Sequence, residues 1–165
     1  MPRVYNDIRK CLSCKSCEIA CAVRHSQSGD LYKALTEEPR QKQLVKVKST
    51  QLGPFTLRCH HCKDAACIDA CKTGATFRDP LNGKVLIDRD KCVGCWMCVM
   101  VCPFGAVFPD LKSEKVFKCD LCEGHDSPAC VSACPTHALH YKDFEEFERE
   151  QKAKGESDAL PDCRK

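Results

Sequence analysis

Residues 92–103 read CVGCWMCVMVCP, four thiols separated by gaps of two, two and three residues and closed by a proline. Thiolates this dense are soft ligands for a thiophilic metal. Their reach is short, so Cys92, Cys95 and Cys98 must all face the same small object. Three further groups follow the same rule: Cys11, Cys14, Cys17 and Cys21; Cys59, Cys62, Cys67 and Cys71; Cys119, Cys122, Cys130 and Cys134. Each opens with C-x2-C and closes with C-x3-C, and only the middle gap changes. Of 17 cysteines, Cys163 alone stands outside the groups and reads as a free thiol in the tail.

Two metal chemistries compete for these groups. Zinc takes four tetrahedral ligands, commonly from two short Cys pairs well apart in sequence. Groups two and four, taken alone, fit that description and support a zinc-stabilised interaction module as the alternative reading. Groups one and three fit it poorly, because a third cysteine three residues on crowds a tetrahedral site. C-x2-C-x2-C-x3-C-P is instead the spacing of bacterial [4Fe–4S] ferredoxins. A cube of four irons offers four corners, and three closely spaced thiolates wrap three of them. In the two-cluster arrangement the fourth cysteine goes to the other cube. The following proline has fixed φ and no N–H, which redirects the chain.

The elements that must hold these loops are short. A basic residue precedes each first cysteine: Lys10, Arg58, Lys91 and Lys118. Such cations are candidates to compensate cluster charge at each loop. The segments PFTLR, KVLID and KVF lead into groups two to four as strands, and KTGATF, PFGAVF and PTHALH follow the last cysteines. The repeating unit is strand, cysteine loop, helical turn, strand. Group one departs from it, running from Cys21 into AVRHSQ. Ala22 and Lys72 stand where a proline could follow the fourth cysteine.

Residues 31–52 contain no cysteine and read as an insertion of helix and strand. DLYKALTEEP is a short helix ending near Pro39, and QLVKVKS alternates as a strand. Residues 143–165 read as an exposed, charged C-terminal helix and a weakly ordered tail. Phe144 and Phe147 lie on one face of that helix, either folding back on the domain or meeting a partner. His60, His61 and His125 lie inside cysteine loops and read as packing rather than ligands. Trp96 and Met97 read the same way.

Composition requires the metal. Leu, Ile, Val and Phe supply only 34 of 165 residues, near the level below which charged chains stay disordered. Bound metal must therefore supply part of the core. Met1 leads into PRVYNDIRKC without an apolar leader, and no apolar run approaches the roughly 20 residues of a spanning helix. The expected location is cytoplasmic, with no direct membrane insertion and any membrane association made through a partner complex. Thiols stay reduced there, which favours metal over disulfides. The formal charge is +3, which gives no nucleic-acid signature; four oxidised cubes at about −2 each bring it to about −5. There is no G-x-G-x-x-G, no P-loop and no flavin motif, so a non-catalytic role is expected.

With these motifs, residues 3 to about 142 resemble the polyferredoxin electron-transfer subunits that accompany larger redox enzymes. That family includes the beta subunits of dimethyl sulfoxide reductase type and the ferredoxin subunits of formate hydrogenlyase. Within it, CKSCEIACAVRHSQSGDLYKAL looks most like the iron–sulfur partner of carbon monoxide dehydrogenase. The resemblance implies an α+β fold of two ferredoxin-like, two-cluster modules in one compact chain, with few regular elements. The inner module spans 53–112, and the outer one joins 1–30 to 113–142. It implies four [4Fe–4S] clusters held in crossed sets. Cys59, Cys62 and Cys67 pair with Cys102, and Cys92, Cys95 and Cys98 with Cys71. Cys11, Cys14 and Cys17 pair with Cys134, and Cys119, Cys122 and Cys130 with Cys21. It implies an electron donor, carbon monoxide dehydrogenase first and a formate dehydrogenase or hydrogenase complex next. A second redox protein, a hydrogenase or flavin oxidoreductase, is the implied acceptor.

Overall fold

The computed structural model describes residues 1–51 and 53–153. Its helices and strands are short, because the cysteine loops take up so much of the chain. Four two-stranded antiparallel ribbons carry those loops. β1 (Arg3–Asn6) pairs with β8 (Leu139–Lys142), tying the start of the chain to the far side of the last cysteine group, with Val4 opposite Tyr141. β2 (Lys46–Thr50) pairs with β3 (Gly53–Leu57), β4 (Thr76–Arg78) with β5 (Val85–Ile87), and β6 (Val107–Asp110) with β7 (Lys115–Lys118). No barrel forms among the described residues.

Each cysteine loop runs into a helix. These are α1 (Ser16–Arg24), α3 (Ala66–Asp69), α4 (Met97–Val101) and α5 (Ala129–Ser132). α1 packs on α5, and α3 packs on α4. Strand, loop, helical turn and strand therefore recur for groups two to four, in the order read from sequence. In group one, α1 runs on to Arg24 and is followed by α2 (Leu31–Thr36) instead of a strand. Asp30 caps α2, its carboxylate accepting the N–H groups of Tyr32 and Lys33 at 3.0 Å, and the helix stops short of Pro39. The alternation expected over 43–49 appears as β2, starting at Lys46.

Cysteine is itself core material. One buried cluster joins Val4, Val45, Val47, Leu121 and Leu139 to Cys17, Cys21, Cys119 and Cys130. A second joins Ala75, Val107 and Val116 to Cys92 and Cys98. The β6–β7 ribbon joins residues on both sides of position 112, where the sequence reading separates the inner module from the outer one.

α6 (Phe144–Ala153) corrects one expectation. It is not exposed on its aromatic face: Phe147 is fully buried, stacked on Tyr5 with ring centroids 4.9 Å apart and interplanar angle 14°. Phe144 lies 5.8 Å from the same ring, and His140 lies 5.5 Å from Phe147. Both phenylalanines fold back on the β1–β8 ribbon. Residues 154–165, including Cys163, lie outside the described residues.

Candidate metal centres

The cysteine loops are shaped by backbone in the left-handed region. In every C-x2-C pair the residue before the second cysteine has positive φ: Ser13 at 55°, His61 at 48°, Gly94 at 68° and Leu121 at 61°. Only one of the four is glycine. Non-glycine residues avoid this conformation, so three of them at equivalent positions mark a shape imposed by function. The turn aims amide hydrogens at sulfur. The N–H of His61 donates to Cys59 Sγ at 3.4 Å, and that of Leu121 to Cys119 Sγ at 3.4 Å.

The fourth cysteines are treated alike. Thr76 N–H donates to Cys71 Sγ at 3.3 Å, Ala106 N–H to Cys102 Sγ at 3.4 Å, and Ala138 N–H to Cys134 Sγ at 3.2 Å. Gly74, Gly105 and His137, each three residues past the cysteine, make this turn at positive φ. Group one lacks the turn, and residues 31–52 replace it: Leu44 N–H donates to Cys21 Sγ at 3.2 Å. The segment read as an insertion thus supplies the amide for the fourth cysteine of group one. Glu18 holds it in place by accepting the Val47 N–H at 2.5 Å.

Each group's first three thiols converge, and a thiol from another group lies with them. Burial pushes up Cys62 and, to about 11, Cys67; both feel Cys59 and Cys102. Burial likewise raises Cys98, which lies among Cys92, Cys71 and Cys95. Cys119 and Cys122 are pushed up by burial and both face Cys21, and Cys130 is pushed to about 12 beside Cys21 and Cys122. Cys17 is pushed to about 11 by burial near Cys11 and Cys14, and Cys134 joins these three in lining one small cavity. All sixteen thiols of the four groups are unbridged. Soft sulfur donors, gathered in fours and met by N–H groups aimed at sulfur, fit iron–sulfur clusters. His61 Nε2 is buried in the group-two loop without a hydrogen-bond partner.

The four basic residues do not act alike. Lys10 reaches back to Asp7 at 3.4 Å and Lys91 to Asp88 at 3.2 Å, and Lys91 is 65% exposed. Each of these two lysines is paired with a carboxylate that offsets its charge, unlike the one compensating cation expected at each loop. Arg58 and Lys118 are buried. Lys118 Nζ donates to Cys59 Sγ at 3.3 Å, to Cys119 O at 3.2 Å and to Val85 O.

Of the three loop histidines, His60 and His61 pack, while His125 is exposed. His60 lies 4.3 Å from the Phe104 ring, joining groups two and three, and burial lowers it to about 4. His61 is fully buried, held neutral at about 2 by burial, and accepts the Val85 N–H on Nδ1 at 3.0 Å. The histidine that sequence reasoning missed is His25. Its Nε2 lies 3.1 Å from both Asp120 oxygens, and its Nδ1 lies 2.7 Å from Cys21 O and 3.8 Å from Cys21 Sγ. Burial opposes its charge, but Asp120 and Cys21 prevail and raise it to about 11. The only sequence signal was its place four residues after Cys21, one helical turn on. Arg78, also unflagged, clamps the group-two loop through the carbonyls of Cys62 at 2.7 Å and Lys63 at 2.6 Å.

Residues 50–144 match the 4Fe-4S dicluster domain, and residues 9–24 match a 4Fe-4S binding domain. The chain belongs to the 4Fe-4S dicluster family. Several of its relatives are named for electron transport. The "Electron transport protein HydN" of Escherichia coli K12 is 36% identical over 159 residues, covering 87% of this chain and 89% of that one. The "Thiosulfate reductase electron transfer subunit PhsB" of Salmonella typhi is 34% identical over 151 residues, covering 87% and 76%. An "Iron-sulfur protein" of Rhodospirillum rubrum is 39% identical over 162 residues, covering 87% and 83%. This dicluster protein is an iron–sulfur electron-transfer protein. No helix among its described residues is long and apolar enough to cross a membrane.

Proposed function

We propose that the chain is a four-cluster electron wire, a non-catalytic subunit that passes low-potential electrons between two redox proteins. The observation that carries this is the serial order of its thiol sets. The Cys92–Cys95–Cys98–Cys71 set adjoins the Cys59–Cys62–Cys67–Cys102 set through the α3–α4 packing. Cys59 neighbours Cys119, and Cys130 neighbours Cys17. The order is thus group three, group two, group four, group one, with Cys134 completing the last set. Bound [4Fe–4S] clusters supply one-electron storage at each position.

The protein's part is to hold, shield and expose. Buried Cys119, Cys122 and Cys130 keep water from the middle of the line, while Cys95 and Cys14 are exposed at its two ends. Exposed Val93 and Met100 flank one end and Leu12 the other, apolar contacts suited to a docked protein. Two modules follow from this reading, one built on the α3–α4 pair and one on the α1–α5 pair.

For the donor, the CKSCEIACAVRHSQSGDLYKAL segment supports carbon monoxide dehydrogenase, with a hydrogenase or flavin oxidoreductase as acceptor. Similarity to a thiosulfate reductase subunit favours a second reading, a wire to a molybdenum or tungsten enzyme such as a formate dehydrogenase. Mixing the anaerobic holoprotein with each enzyme and its substrate separates them. Bleaching near 400 nm on adding carbon monoxide and its dehydrogenase supports the first reading. Bleaching only with formate and a formate dehydrogenase overturns it.

A further inference from the structure

Arg58 and Lys118 occupy equivalent places, each immediately before the first cysteine of its group. Each serves the other group. Lys118, at the mouth of group four, donates to Cys59 of group two at 3.3 Å. Arg58, at the mouth of group two, is buried near Cys130 of group four, where its positive charge opposes the rise that burial imposes on that thiol. The two side chains are 5% and 3% exposed, so solvent screens neither charge well.

The Lys118 site is built for an ammonium. Three acceptors surround Nζ: Cys59 Sγ, Val85 O and Cys119 O. Three acceptors match three N–H donors. Val85 is itself fixed, since its N–H donates to His61 Nδ1 inside the group-two loop. One strand residue thus clamps both the group-two loop and the cation beside group four. Lys118 thus reaches a cysteine sulfur directly with its ammonium.

We propose that Lys118, with Arg58 in the reciprocal position, is a shared electrostatic bridge that raises the reduction potentials of the group-two and group-four clusters together. This rests on the four-cluster reading above. A fixed positive charge stabilises the more negative, reduced state of any cluster beside it. Because Lys118 touches one set and borders the other, its removal acts on two clusters and spares the terminal two. Lys91, its charge offset by Asp88, sets no potential.

The test is an EPR-monitored redox titration of the anaerobic holoprotein, comparing wild type with Lys118→Gln and Lys91→Gln. Lys118→Gln lowers two of the four midpoints, each by tenfold or more in the one-electron equilibrium, where tenfold is 59 mV. Lys91→Gln moves none. Fully loaded Lys118→Gln with all midpoints unmoved, or with only one moved, overturns the bridge. Where Lys118→Gln fails to load, Lys118→Arg and Lys118→Met decide. Loading restored by Arg and not by Met supports a required charge; equal failure of both overturns it. A zinc-loaded wild-type protein overturns the four-cluster reading and the bridge together, whereas unmoved midpoints in a loaded variant overturn the bridge alone.

Discussion

Gly94→Ala isolates the geometry of one cysteine loop. Gly94 sits between Cys92 and Cys95 at φ +68°, and a Cβ built on it lies 2.2 Å from the Glu114 carbonyl oxygen and 3.1 Å from its carbon. The obstacle is backbone at the turn of the β6–β7 ribbon, not a side chain that can swing away. Nor is the turn free to retreat, because Lys115 Nζ donates to Cys92 O at 2.6 Å and ties it to the loop. Alanine in the left-handed region costs about 1–2 kcal/mol. Forcing atoms into filled space adds about 1–3 kcal/mol. Gly105→Ala is the control, since Gly105 has φ +57° with nothing within 4 Å of its Cβ. It carries only the first cost. The contact is therefore worth about 1–3 kcal/mol, which for a chain of this size lowers the melting temperature by roughly 2–12 °C relative to the control. Anaerobic thermal melts at one scan rate, with iron content measured on each variant, read it directly. Equal melting of the two variants refutes the close approach of the hairpin to the group-three loop.

Phe147→Ala removes a fully buried ring stacked on Tyr5 and costs about 3–5 kcal/mol, releasing α6 from the β1–β8 ribbon; limited proteolysis then cuts near 144–153, and unchanged resistance contradicts the packing. The crossed ligand sets are tested by pairs of substitutions. Cys71→Ser combined with Cys92→Ser loses no more iron than either alone, whereas Cys71→Ser combined with Cys59→Ser loses two clusters' worth; the reverse pattern refutes the crossing.

The cysteine groups were legible because metal chemistry fixes spacing: thiols that share a cube must be near one another in sequence or carried in by a short repeat. The strands PFTLR, KVLID and KVF and the recurring turn after the fourth cysteine of groups two to four followed from that repeat. What sequence did not show was which side chains the loops bring together across the chain. Asp7 and Asp88 claim Lys10 and Lys91 from three residues upstream, a local D-x-x-K spacing whose meaning shows only in the folded loop; Lys118 has Lys115 in that place. Asp120 meets His25 across 95 positions, a pairing no local pattern encodes. Residues 31–52 read as an insertion, and within it Leu44 supplies the amide that group one's missing turn withholds. The left-handed turns at Ser13, His61 and Leu121 were hidden because only Gly94 advertises the conformation.

Iron, acid-labile sulfide and zinc measured on anaerobically purified, full-length protein test the central claim most directly. Four four-iron clusters on sixteen thiolates predict about sixteen irons and as many sulfides per chain, with a brown colour and negligible zinc. A colourless protein holding zinc and no sulfide would contradict the account.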